Sequence, residues 1–117
     1  MHDAIAYKIL SPTEMETLQR DGHFHGSAAD RADGFIHLST AAQVEGTLRR
    51  HFAGVTALCI AAVDVAGLGD KVRWEASSGG QLYPHLYAPL PLAAVIASGP
   101  LTRTADGAPN LPTNAGS

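Results

Sequence analysis

The sequence predicts an α+β domain with a small mixed, largely antiparallel split sheet and two helices in its N-terminal half. Three observations predict it. Apolar runs of strand length recur along the chain, and several of them alternate with a period of two. Two helix-start signals stand at Ser11 and Thr40. The 117 residues suffice for one core and not for two. A single globular domain is therefore expected over residues 1–102, followed by a mobile tail over residues 103–117 whose one large apolar residue is Leu111.

The first strand is expected within residues 4–10, where Ile5, Tyr7 and Ile9 share one parity. Ser11-Pro12-Thr13-Glu14 then supplies a capping serine, a proline at the first helical position and a glutamate three residues after the cap. That helix runs to about Arg20, with Met15 and Leu18 inward and Asp21-Gly22 stopping it. Residues 23–33 show no sustained period and read as a loop or a turn of helix that carries His23 and His25.

Gly34-Phe35-Ile36-His37-Leu38-Ser39-Thr40 is the central strand. Strand alternation places Phe35, His37 and Ser39 on one face, and Ile36 and Leu38 on the other. Thr40, with Gln43 three residues later, starts a second helix whose buried stripe is Val44, Leu48 and Phe52 and whose end is Gly54. Residues 56–63 form a nearly continuous apolar run, the pattern of a strand covered on both faces. After a turn over residues 64–70, Lys71-Val72-Arg73-Trp74-Glu75 alternates as a half-exposed strand, with Arg73 and Glu75 on one face and Val72 and Trp74 on the other. Pro84 lacks an amide hydrogen, so the run from Leu82 to Tyr87 is expected at a sheet edge or as an extended loop. A last strand is expected over residues 93–97.

Composition excludes several function classes. A formal charge of −3, with Arg49-Arg50 the only adjacent basic pair, offers no basic face for duplex nucleic acid. No stretch of about 18 apolar residues is present to span a bilayer, and no secretory signal opens the chain, so a cytoplasmic protein without membrane contact is expected. The single cysteine, Cys59, lies in an apolar run and reads as a small hydrophobe. Phosphate loops, dinucleotide fingerprints and nucleophile elbows are missing.

The candidates for chemistry are His37 and His85, each set within an apolar, strand-like run. Imidazole is the side chain whose ordinary pKa lies nearest neutrality, which suits it to acid–base work. Glu75 completes the candidate catalytic set, and Ser39, Arg73, Tyr83 and Tyr87 are candidate ligand-binding residues. Two alternatives use the same residues. One is a non-catalytic module in which the histidines hold a small anionic ligand; the other is a metal-dependent enzyme with His37, His85 and Glu75 around the ion. The spacing favours neither metal ligation nor a resident cofactor, and no metal is expected.

Gly-Phe-Ile-His-Leu-Ser-Thr at 34–40, the helix ending in His51-Phe52, the Arg73-Trp74-Glu75 strand and the segment from Tyr83 to Val95 together resemble the domain-of-unknown-function family 952. That resemblance covers residues 4–101. More distantly, the chain resembles the ADP-ribosyltransferase superfamily and its RNA 2'-phosphotransferase branch, which has a strand like His37-Leu38-Ser39 followed by a comparable helix. This resemblance implies a split sheet whose cleft holds NAD as substrate. His37 stands where many members have tyrosine, and His85 where transferases usually have glutamate. The superfamily's first-strand histidine has no counterpart near Tyr7-Lys8.

Overall fold

A computed structural model describes residues 2–77 and 79–112. The element order is β1 (Ile5–Leu10), α1 (Pro12–Asp21), β2 (His23–Phe24), α2 (Ala28–Asp33), β3 (Ile36–His37), α3 (Val44–His51), β4 (Cys59–Asp64), α4 (Val65–Leu68), β5 (Val72–Ala76), β6 (Leu82–Leu86), β7 (Leu90–Pro91) and β8 (Val95–Pro100). Every strand pairing is antiparallel. The strands form two three-stranded sheets, ordered β1-β4-β8 and β3-β6-β5, and a two-stranded pair of β2 with β7.

Helix α1 begins as the sequence requires. The Ser11 hydroxyl accepts from the Glu14 amide while the Glu14 carboxylate accepts from the Ser11 amide, and Gly22 closes the other end. The segment 23–33, expected as a loop or a helical turn, instead holds β2 and a capped helix. Ser27 and Asp30 form a second capping box there. Two further helices are thus added to the two expected, α2 and the short α4. Helix α3 starts at Val44, later than a Thr40 cap implies. Residues 40–43 form a turn in which the Gln43 side chain accepts from the Thr40 amide.

The core has two parts on either side of the first sheet. Ala6, Leu10, Ala61 and Val63 face a cluster with Leu18, Ile36, Leu38, Leu86 and Leu90, while Tyr7, Ile9, Ile60 and Ala62 face Val44 and Leu48 of α3. Strand β4 is central in its sheet, as its unbroken apolar run predicts. The two three-stranded sheets meet where Tyr7 and Ser39 exchange both backbone hydrogen bonds, at 2.7 and 2.9 Å.

Strand β6 overturns the expectation of a sheet edge, because it is the middle strand between β3 and β5. The Pro84 carbonyl accepts from the Leu38 amide, one residue beyond β3, so the proline's missing donor costs only the single reciprocal bond to the Leu38 carbonyl at the end of that short strand. The last strand also begins later than expected, after a 3-10 turn over Leu92–Ala94. From residue 103, where a mobile tail is expected, the structure has Arg103 and Pro109 paired across a turn and Leu111 half-buried against the second cluster. Residues 113–117 of that expected tail lie outside the described residues.

Trp74 takes the core-facing side of β5 but is only half-buried, packed on the first cluster and stacked against His2 with ring centroids 4.2 Å apart. Its replacement by alanine is expected to cost about 1.5–3 kcal/mol, comparable to burying one aliphatic side chain and less than the roughly 3–5 kcal/mol of a fully enclosed tryptophan. Denaturant unfolding of Trp74→Ala checks this.

Candidate functional site

The register of the second sheet brings the candidate residues together. His37 of β3 lies directly opposite His85 of β6, and His85 lies directly opposite Arg73 of β5. Glu75 is likewise opposite Tyr83. The other face of these strands carries Ile36, Pro84 and Leu86, all buried. Alternation therefore leaves Phe35, His37, Arg73, Glu75, Tyr83, His85 and Tyr87 on the face turned away from the core.

The two imidazole rings are 5.7 Å apart, edge to face. Each has its own carboxylate. His85 Nδ1 lies 2.8 Å from Glu75 Oε1, and the Tyr87 hydroxyl donates to the same oxygen at 2.7 Å. A carboxylate accepts only, so Nδ1 of His85 carries the proton and Nε2 is left as the ring's other functional nitrogen. The bonds from Tyr87 and His85 hold the Glu75 carboxyl below its ordinary value, and the same Glu75 contact pushes the Tyr87 hydroxyl up.

His37 is bound more heavily. Its Nδ1 lies 2.6 Å from Asp30 Oδ1, and its Nε2 lies 2.9 Å from Asp33 Oδ2. Nδ1 donates to Asp30, and Asp33 stands as a second carboxylate within ion-pairing distance of Nε2, so the surroundings favour the charged ring. Its pKa is raised, first by the bond to Asp30, against the opposing effect of burial.

Asp30 is the residue on which this half of the site is built, and sequence reasoning missed it. It is 2 % exposed and accepts from Lys8 Nζ at 2.8 Å, from the Ser27 amide at 2.9 Å and from the His37 amide at 3.1 Å, besides the His37 ring. Burial opposes its charge, but the bonds from His37 and Lys8 outweigh burial and hold its carboxyl far below the usual carboxylate range. Lys8, 5 % exposed, also donates to the His37 carbonyl at 3.2 Å, which ties β1, α2 and β3 to one buried ion pair. Room for Asp30 comes from Gly26, where a Cβ would lie 2.8 Å from Asp30 Cβ.

The remaining candidates divide. The guanidinium of Arg73 sits over the Tyr87 ring at 4.7 Å and stays exposed. Tyr83 lies at the far end of the face, where its hydroxyl accepts from Arg50 Nη2 at 2.6 Å. Ser39 does not join the face as a ligand-binding hydroxyl: it is 3 % exposed and its Oγ is paired with Thr47 Oγ1 at 2.8 Å. Phe35, not among the expected site residues, stacks on His85 at 4.0 Å between centroids, with His37 4.7 Å and Tyr87 5.3 Å away. A depression of about 330 Å³, lined by His25, Arg31, Phe35, Leu86, Tyr87 and Pro89 among others, opens beside that ring. His23 stays on β2, outside it. Among the described residues no three His, Cys, Asp or Glu side chains converge as a metal would require. A centre made of His37, His85 and Glu75 has no geometric support.

The raised pKa of His37 gives a pH dependence with a definite sign. The folded protein holds this proton more tightly than the unfolded chain, so the stabilisation is complete below about pH 6.5 and is lost as pH rises through the raised value. Unfolding free energies measured between pH 6 and 9 are expected to fall by more in the wild type than in His37→Gln. An identical decline in both contradicts the assignment.

The family described as "Protein of unknown function (DUF952)" matches residues 9–98. Among solved structures, the crystal structure of protein CC0527 from Caulobacter crescentus is 44% identical in sequence and superposes with a TM-score of 0.82, over 91% of this chain and 93% of that one. The solution NMR structure of CC0527 is also 44% identical, with a TM-score of 0.78 over 92% and 93% of the two chains. No curated protein matches the chain. Among the described residues no helix is long and apolar enough to cross a membrane. The family match spans every strand that bears a candidate site residue, and the chain belongs to the DUF952 family.

Proposed function

We propose that the face bearing His37 and His85 binds NAD or a related nucleotide as substrate and carries out acid–base chemistry on it, in an ADP-ribosyltransferase-like architecture of a cytoplasmic protein. The observation that carries this reading is the pairing of two imidazoles 5.7 Å apart, each with its own carboxylate but with unequal bonding. Two like groups in different surroundings divide into an acid and a base. His85, fixed at Nδ1 by Glu75, offers Nε2 as the base that takes a proton from an attacking hydroxyl. His37, bonded at Nδ1 to Asp30 and with Asp33 beside Nε2, is the cation that balances an anionic group on the substrate. Arg73, exposed on the same face, adds a second positive charge suited to a pyrophosphate. The two antiparallel sheets joined at Tyr7 and Ser39 support the split-sheet arrangement.

A non-catalytic binding module is the second reading, favoured by one observation. His85 is 7 % exposed beneath Phe35, which shields the nitrogen a base must offer. Chromatographic assay of nicotinamide release from NAD separates the two. The acid–base reading predicts release by the wild type and a loss of at least a hundredfold in His85→Asn. NAD binding with no release in either protein leaves the binding module.

A further inference from the structure

Two ligand-like contacts at this site are made by the chain itself, and both come from one three-residue segment. Asp33, the last residue of α2, is exposed, yet its carboxylate reaches over to His37 Nε2. Phe35, two residues on, lays its ring over His85 with the planes only 19° apart. Gly34 between them has φ +88°, a left-handed turn that a side chain would disfavour, and that turn carries both side chains onto the histidine pair. An anion thus sits on one imidazole, and an aromatic ring is stacked on the other.

We infer that Asp33-Gly34-Phe35 is a built-in stand-in for the ligand, with the Asp33 carboxylate in the seat of an anionic group and the Phe35 ring in the seat of a planar ring. The ligand class follows from the two kinds of contact. It is a planar ring joined to an anionic group and small enough to lie across two imidazoles whose centroids are 5.7 Å apart, a description that a mononucleotide or one half of a dinucleotide meets with its base or nicotinamide ring and its phosphate. This rests on the nucleotide reading above and makes it specific.

The surroundings allow the exchange. The depression of about 330 Å³ beside Phe35 is larger than the roughly 150 Å³ that accommodates a benzene ring, so the displaced phenyl group has a place to go. The charged and titratable groups facing His37 are Asp30 and Asp33 from α2, Lys8 from β1 and His85 from β6. Of the two aspartates, only Asp33 can leave without exposing a buried charge. Its side chain is 55% exposed, whereas that of Asp30 is 2% exposed and bound to Lys8. A phosphate at Nε2 replaces the Asp33 ion-pair contact by another anion, and Asp30 keeps Nδ1. With both displaced, His85 is uncovered and the shielding that favours a mere binding module is removed.

The test compares nicotinamide mononucleotide, its phosphate-free riboside and inorganic phosphate, titrated into wild type, Asp33→Asn and Phe35→Ala and followed by the histidine ring resonances. Asp33→Asn is expected to tighten the mononucleotide and inorganic phosphate by about tenfold and to leave the riboside unchanged. Phe35→Ala is expected to tighten the two ring-bearing compounds and to leave inorganic phosphate unchanged. Weaker or unchanged mononucleotide binding in Asp33→Asn overturns the inference, because it makes Asp33 a group that orients His37 for the ligand. Equal tightening of the riboside, or no binding to any of the proteins at millimolar concentration, overturns it too. The expected gain without nicotinamide release from NAD keeps the stand-in and removes the acid–base reading. Release without the gain does the reverse.

Discussion

Replacing Asp30 by alanine is expected to destabilise the protein by about 3–5 kcal/mol, the usual result of removing one partner of a buried ion pair. The ammonium of Lys8, 5 % exposed, loses its counter-charge, and its other oxygen partner is only the His37 carbonyl. The same change opens the Ser27 capping box and releases the His37 amide and ring. A domain of this size has about 5–15 kcal/mol in total, so much of its stability rests on one carboxylate. Equilibrium unfolding in urea measures the loss. Converting the pair together, as Lys8→Met with Asp30→Leu, is expected to recover a large part of it, since no charge is then left buried. A loss below about 1 kcal/mol in Asp30→Ala contradicts the buried pair.

His37→Ala and His85→Ala are each expected to lower turnover of the nucleotide substrate by a factor of about 10² to 10⁴, the range for a positioned acid or base. The double variant is expected to fall little further than the worse of the two, because residues acting on one substrate as a unit are not additive. Steady-state kinetics on all four proteins, with circular dichroism as the control for folding, provides the comparison. Losses that multiply point to two independent sites. The 5.7 Å between the rings and their shared contact with Phe35 argue for one.

The site face was legible because strand geometry is local. A period of two in Phe35-Ile36-His37 and in Arg73-Trp74-Glu75 assigns faces before any contact is known, and the structure keeps those assignments. What the sequence does not show is whichever partner lies far along the chain. Lys8 looks like an exposed lysine interrupting a strand, and nothing adjacent indicates that a carboxylate 22 residues away makes its burial tolerable. Ser27-Ala28-Ala29-Asp30 was a readable signal, a capping pair with aspartate in place of glutamate, but the helix it starts has only six residues and no apolar period. Pro84 misled for a different reason. Its missing donor costs one bond at the end of a two-residue β3, and the shortness of that strand is a tertiary fact. Ser39 followed the parity of the face, yet its hydroxyl is bonded to Thr47 of α3, a contact set by how that helix packs.

The most direct measurement is an NMR titration of NAD into the protein, read at the ring signals of His37 and His85, each assigned with its single substitution. One shared site predicts that both rings shift together along one binding curve with a single dissociation constant. Shifts confined to one ring, two different dissociation constants, or no shift at millimolar NAD contradict it.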